Sequence, residues 1–303
     1  MKILFEVNDL EFDELSGPML KENKISLSIA RLDKIHPVIS GNKLFKLYYF
    51  LEEALINKHR PVLTFGGAYS NHLAATAYAC KISGIKSIGI VRGEISSLHN
   101  HTLRQCKSDG MELHFISRVD YNNKDSQDIR ESLKSKFGDF LLIPEGGYHP
   151  KGALGAGLIM QKLANKTPSH VCTAIGTATT AAGLLSGSTA NETIIGIPVL
   201  KSLTDIEERI SYLCKDTYPK KLEIFDNYHF GGYAKKTSEL ICFMNEFYKQ
   251  YQVPTDFVYT AKMMYAIFDK IKKGYFPEGS KIICLHTGGL QGNNSLEAST
   301  LVF

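Results

Sequence analysis

From Pro61 onward the chain alternates short apolar runs with stretches of helical periodicity, and that alternation leaves few folds open. PVLTF leads into a glycine-rich turn and a small-residue helix, LAATAYACKISG, that ends at Gly84. The pattern returns with SIGIVRG and a polar helix around Ser97 to Asp109, with ELHFI and a helical segment from Ser126 to Phe137, and with FLLIPEGG. The second half reads as helix GALGAGLIMQKLAN, strand HVCTAI, turn GTATT, helix AAGLLSG, strand TIIGIPV, helix AKMMYAIFDKIKKG and strand KIICLHTGG. Strands separated by helices must pair in parallel through right-handed crossovers. Two α/β units of unequal size follow: a small one at 48–147, and a larger one built from 1–47 and 148–303, with the ligand cleft between them.

Composition excludes several classes. A chain of 303 residues that is 44% hydrophobic and 22% charged buries a sizeable core. Its 35 basic and 31 acidic residues are interspersed, KDTYPKK at Lys215 to Lys221 being the densest basic cluster, read as a solvated loop. No basic stripe interleaved with aromatics is present, which argues against nucleic acid as a partner. The apolar run in MKILFEVNDLEFDE is too short for a signal peptide and no stretch has the length of a membrane span, so a cytoplasmic protein is expected. Six scattered cysteines, with no C-x-x-C pair and no metal spacing, read as reduced core residues.

Chemistry concentrates at a few turns. In SGNKLFKLYYF, Lys43 and Lys46 fall where a helix begins. A helix start is partly positive and disfavours cations, so these lysines are either solvated or have other work. FGGAYSNH places Ser70, Asn71 and His72 at a strand-to-helix turn, fit for an anion or a ring hydroxyl and equally for a helix cap. IGTATTAAG forms a concave set of backbone donors suited to a phosphate, or an ordinary strand-to-helix turn. HTGG at His286 to Gly289 ends a third apolar run. The P-loop, G-x-G-x-x-G, G-x-S-x-G and H-E-x-x-H motifs are all absent, and no metal set is seen. A lysine together with a phosphate nest suggests pyridoxal phosphate, whose chemistry needs an amine and whose ring accepts electrons.

RLD at Arg31 to Asp33, GNKLFK, GGAYSNH, PEGGYHPKGALG, GTATT, GGY at Gly231 to Tyr233, VYTAK at Val258 to Lys262 and FPEGSKIICLHTGG occur in one order across residues 29 to 290. In these pieces the chain resembles the 1-aminocyclopropane-1-carboxylate deaminase and D-cysteine desulfhydrase family. The resemblance implies a two-domain, parallel-sheet, three-layer α/β/α enzyme of pyridoxal-phosphate fold type II, tryptophan-synthase-β-like, acting as a homodimer on a small amino acid. It implies that Lys46 is joined covalently to the cofactor and moves the Cα proton, with Lys43 only its neighbour. Asn71 matches the partner of the pyridoxal 3′-oxygen, and Ser70 and His72 match the substrate side. Gly176, Thr177, Ala178, Thr179 and Thr180 match the phosphate turn, and Tyr233 and Tyr259 the tyrosines of the substrate face.

Thr260 and Thr287 stand where deaminase-type members carry Glu and Leu, which implies a D-cysteine desulfhydrase-like β-elimination to pyruvate, sulfide and ammonia. The alternatives are the cyclopropane deaminase, giving 2-oxobutyrate, and a cofactor-binding protein impaired in catalysis. Phe45 in place of the family's Arg, Tyr69 in place of its Gln, and the lack of an F-P-T-P stretch are departures from the pattern.

Overall fold

A computed structural model describes residues 8–57, 60–94, 100–214 and 221–303. Its elements run in chain order as β1 (Phe12–Leu15), α1 (Pro18–Glu22), β2 (Ser26–Ala30), α2 (Asn42–Ile56), β3 (Val62–Gly67), α3 (Asn71–Ile82), β4 (Ser87–Arg92) and α4 (His101–Ser108). They continue with β5 (Met111–Ile116), α5 (Arg118–Asn122), α6 (Gln127–Phe137), β6 (Leu141–Ile143), α7 (Pro150–Leu163), β7 (His170–Ile175), α8 (Thr179–Gly187) and β8 (Thr193–Pro198). The last are α9 (Ile206–Leu213), β9 (Lys221–Ile224), α10 (Ser238–Tyr251), α11 (Thr260–Lys272) and β10 (Lys281–Leu285).

Two sheets result. One has six strands in the order β1-β2-β10-β7-β8-β9, the other four in the order β5-β4-β3-β6. All neighbours are parallel except β1 with β2. The parallel α/β architecture is therefore as expected. Most strands that lie between two partners are buried on both faces and read as apolar runs, although serines interrupt β2. HVCTAI is one, with five of its six residues buried between β10 and β8.

Helix starts follow local chemistry. The Ser70, Asn100 and Ser126 hydroxyl or amide oxygens each accept the backbone N–H three residues on, capping α3, α4 and α6. Ser70 has room to do so because a Cβ on Gly66 would stand 2.6 Å from its Oγ. Five cysteines are buried core residues, but Cys242 is exposed on α10, which corrects the reading of all six as core. Lys215 to Lys220 of the KDTYPKK cluster, Ser97 to His99 at the start of the expected polar helix, and Met1 to Val7 lie outside the described residues.

A seam of close helix packing positions the site. A Cβ on Gly155 of α7 would stand 2.1 Å from the Phe45 carbonyl oxygen of α2. One on Gly183 of α8 would stand 2.3 Å from the Ala153 carbonyl oxygen of α7. Only glycine permits such approaches, and they bring the starts of α2 and α8 together. Around the seam lie Leu47, Leu51, Ile159, Leu163, Ile175 and Leu184, all essentially without exposure. Each such side chain contributes about 1.5–3 kcal/mol relative to an exposed one. No helix among the described residues is long and apolar enough to cross a membrane, and none of their His, Cys, Asp and Glu side chains form a metal-binding group.

Candidate active site

Three chain turns meet at the end of the seam. The first opens α2, where Gly41 at φ 72 precedes the helix and a Cβ there would stand 1.9 Å from the Thr287 carbonyl oxygen. Asn42 donates through Nδ2 to Thr180 Oγ1 at 2.8 Å, tying this turn to the start of α8. Lys43 Nζ donates to Asn42 Oδ1 at 2.7 Å. Burial lowers the Lys43 amine to about 8, against the partial opposition of the Asp256 carboxylate.

Lys46 lies one turn further on, its whole residue 5% exposed. Its Nζ donates to the Gly146 carbonyl at 3.2 Å. Burial, then the charge of Lys43, pushes this amine well below the usual lysine range. The two lysines therefore occupy different surroundings. Lys43 lines a small cavity with Ser40, Asn71, Thr287, Gly289 and Gln291. Lys46 faces the Gly146 turn, where a Cβ on Gly146 would stand 3.0 Å from Thr177 Cγ2.

The second turn, Gly176 to Thr180, opens α8. Ala178 has left-handed φ 64 and no side chain caps the helix. A strained Ala and uncapped N–H groups at a helix start make an anion cradle. Thr177 Oγ1 and Thr179 Oγ1 are 2.8 Å apart, and a Cβ on Gly176 would stand 3.3 Å from the Tyr259 ring. Lys46 reaches the Gly146 turn that packs on Thr177, so the cradle has an amine close by.

The third turn opens α3. Asn71 Oδ1 is buried and has no hydrogen-bond partner among the described residues, while its Nδ2 lies 3.1 Å from the position of a Gly289 Cβ. An orphaned amide facing the Lys43 cavity fits a polar ligand atom there. Ser70 spends an Oγ lone pair on capping α3 and is part-exposed. His72 is not brought into the cavity. Its Nε2 is 3.0 Å from Thr64 Oγ1, whose own proton goes to the Ile143 carbonyl at 2.7 Å, so the ring donates from Nε2. Burial, then Lys43 and Lys46, lowers His72 to about 3 and keeps it neutral.

Tyr233 and Tyr259 face each other with ring centroids 6.0 Å apart at 71°. Tyr233 is 50% exposed, and burial of the phenols raises the pKa of both, Tyr259 the more, so each is a neutral donor. Thr287 is buried at the cavity.

Thr260 is buried and its hydroxyl is fully engaged by a residue that sequence reading missed. Asp256, 0% exposed, accepts from Val258, Tyr259 and Thr260 backbone N–H groups at 3.0, 2.8 and 2.9 Å. Its Oδ2 also accepts from Thr260 Oγ1 at 2.6 Å, while its own N–H donates to that hydroxyl at 2.7 Å. The signal was an acid inside VPTDFVYT, where nothing else is charged. Asn42 was likewise passed over beside the two lysines.

Residues 16–288 match the family described as pyridoxal-phosphate dependent enzyme. The chain is 30% identical over 290 residues to a putative 1-aminocyclopropane-1-carboxylate deaminase of Pyrococcus abyssi, covering 90% of this chain and 87% of that one. It is 28% identical over 298 residues to the mitochondrial bifunctional D-cysteine desulfhydrase/1-aminocyclopropane-1-carboxylate deaminase of Arabidopsis thaliana, covering 89% and 74%. A crystal structure described as an ACC deaminase homologue superimposes with a TM-score of 0.80 at 28% identity, covering 96% of this chain and 92% of the other.

Proposed function

The chain belongs to the pyridoxal-phosphate dependent enzymes, with pyridoxal phosphate as its cofactor, and on that premise we propose that it is a lyase removing a β substituent from a small amino acid. The reading is D-cysteine desulfhydrase-like: D-cysteine to sulfide, pyruvate and ammonia. Bound pyridoxal phosphate supplies an aldehyde for the substrate amine and a ring that stabilises negative charge at Cα. The uncapped start of α8 and Lys46 would hold its phosphate, and Asn71 would meet its ring hydroxyl. Lys43 would be the amine that carries the cofactor and takes the Cα proton. This assigns the two lysines the reverse of the roles that the family resemblance gave them. What supports the reversal is that Lys43 shares a cavity with Asn71, Thr287 and Gly289, whereas the Lys46 amine is turned to Gly146 beside Thr177.

The remaining roles are positional. Ser70 and the start of α3 receive the substrate carboxylate, and Tyr233 and Tyr259 stand over the reacting side as neutral donors. The observation that carries the reading is the Lys43 amine, lowered to about 8 by burial, in one cavity with an orphaned Asn71 amide.

A second reading, opening of a cyclopropane amino acid, is favoured by the Asp256 carboxylate 2.6 Å behind the Thr260 hydroxyl. It restores an anion near the position where Thr260 itself offers none. The deciding experiment supplies D-cysteine and 1-aminocyclopropane-1-carboxylate separately to the purified protein. Sulfide with pyruvate supports the first reading, 2-oxobutyrate the second, and neither product rejects both. Borohydride reduction followed by peptide mapping locates the covalent lysine. A tag on Lys46 instead of Lys43 would reverse the assignment again.

A further inference from the structure

Above the GGAYSNH turn sits a guanidinium with no counter-ion among the described residues. Arg92 ends β4, in register with Gly67 at the end of β3. One guanidinium nitrogen lies 3.6 Å from where a Cβ on Gly67 would stand. The Gly67 carbonyl accepts from Ser70 N at 3.0 Å, so Arg92 overhangs the turn that carries Ser70 and Asn71. The Arg92 guanidinium is also 5.5 Å from the centre of the Tyr121 ring, and the Lys124 ammonium is 5.0 Å from the same centre. Lys124 is paired with Glu145 at 3.3 Å, whereas Arg92 makes no ion pair among the described residues. Two positive groups thus share one carboxylate, leaving the cluster one positive charge in excess.

Two further observations describe its surroundings. Tyr121 is 2% exposed, with its hydroxyl beside the Glu145 carboxylate. Burial, then the neighbouring Glu145 carboxylate, raises its pKa, so it stays a neutral donor toward Glu145 and adds no negative charge beside Arg92. Tyr233, on the segment between β9 and α10, senses the charges of both Glu145 and Arg92. The cluster therefore faces the substrate tyrosine across the cleft. Arginine suits such a place because its planar fork binds a carboxylate or phosphate with two parallel hydrogen bonds.

We propose that Arg92, at the end of β4 over the turn that carries Ser70 and Asn71, is a specificity-determining site for a second acidic group carried on the β substituent of the amino-acid substrate. This rests on the lyase reading above. The α-carboxylate is met at Ser70 and the start of α3, and the guanidinium one strand away meets the distal end. In the reaction the Cα proton goes to Lys43 and the bond from Cβ to the substituent breaks. The electron pair of that bond leaves on the acidic group. The released enamine takes up water to give pyruvate and ammonia, with no oxidant or reductant required.

The test begins with binding to the holoenzyme, read from the shift of the cofactor absorbance. Aspartate and alanine, in both hands, carry no leaving group and differ by the second carboxylate. The expected result is that aspartate binds about 10-fold more tightly than alanine, and that this advantage disappears in Arg92→Gln and shrinks with added salt. In turnover, the ratio of kcat/KM for O-phosphoserine to that for β-chloroalanine falls about 10-fold in the same variant, a ratio in which any general loss cancels. Equal binding of aspartate and alanine by the wild type overturns the proposal. So does an Arg92→Gln variant that weakens both ligands equally, because that places Arg92 on the α-carboxylate. A wild-type protein with no cofactor band overturns the lyase reading and this one together, whereas turnover of β-chloroalanine with no acidic preference overturns this one alone.

Discussion

Lys43 offers the sharpest quantitative test. An amine with pKa about 8 is about one-quarter neutral at pH 7.5, whereas an ordinary lysine near 10.4 is neutral about one time in a thousand, a difference of about 200-fold in reactive form. Trace acylation of cofactor-stripped protein across pH, with peptide mapping, should give Lys43 a labelling midpoint near 8. Because Asp256 holds the amine up, Asp256→Asn should move that midpoint lower still. The same shift has a stability arm whose sign is fixed. The folded pKa lies below the unfolded one, so the unfolded chain binds the extra proton. Lys43 therefore destabilises the stripped fold by up to about 3 kcal/mol below pH 8, and the penalty fades as pH rises toward about 10.4. Lys43→Met should consequently stabilise the stripped protein at pH 7 and lose that gain at about pH 10.4. A midpoint near 10, or a stability gain independent of pH, would refute the argument that burial sets the state of this amine.

Other outcomes are expected from the same geometry. Gly155→Ala sets a methyl 2.1 Å from the Phe45 carbonyl oxygen, forcing α2 and α7 apart at a cost of about 1–3 kcal/mol, so thermal unfolding should fall and cofactor affinity with it. Unchanged melting would mean that the seam yields freely. Arg31 is buried and paired to Asp13 and Asp33 at 2.7 Å each. Arg31→Met leaves two carboxylates uncompensated and should cost about 3–5 kcal/mol in denaturant titration. Cys242 alone among the cysteines is exposed, so a thiol reagent should modify one site in the native protein and six only after unfolding.

The sequence made the buried strands legible because two-sided burial writes them as continuous apolar runs. HVCTAI coincides with β7 residue for residue, and the expected GTATT turn opens α8. β1 escaped because FDEL is a four-residue edge strand whose residues are at most part-buried, too short to show alternation, and β2 because serines interrupt the apolar run of SLSIA although four of its five residues are buried. The strand β9 and helices α9 and α10 escaped for a related reason: their polar faces dilute a periodicity that only packing against the sheet makes visible. Of the site, the turns were readable because glycine and hydroxyl residues cluster there. The division of labour between Lys43 and Lys46 was not, since residues three apart differ in surroundings only once Gly146 and Asn71 are folded against them. Asp256 was hidden because its value lies in four donors that converge from the residues just after it.

The glycine contacts along α2, α7 and α8 also have a mechanical consequence. They leave no slack between the segment carrying both lysines and the segment that cradles the phosphate, so neither can loosen without dismantling the interior that holds the other. Bleaching of the bound vitamin's colour in rising urea should accordingly coincide with collapse of the helical circular-dichroism signal, in one transition with a shared midpoint.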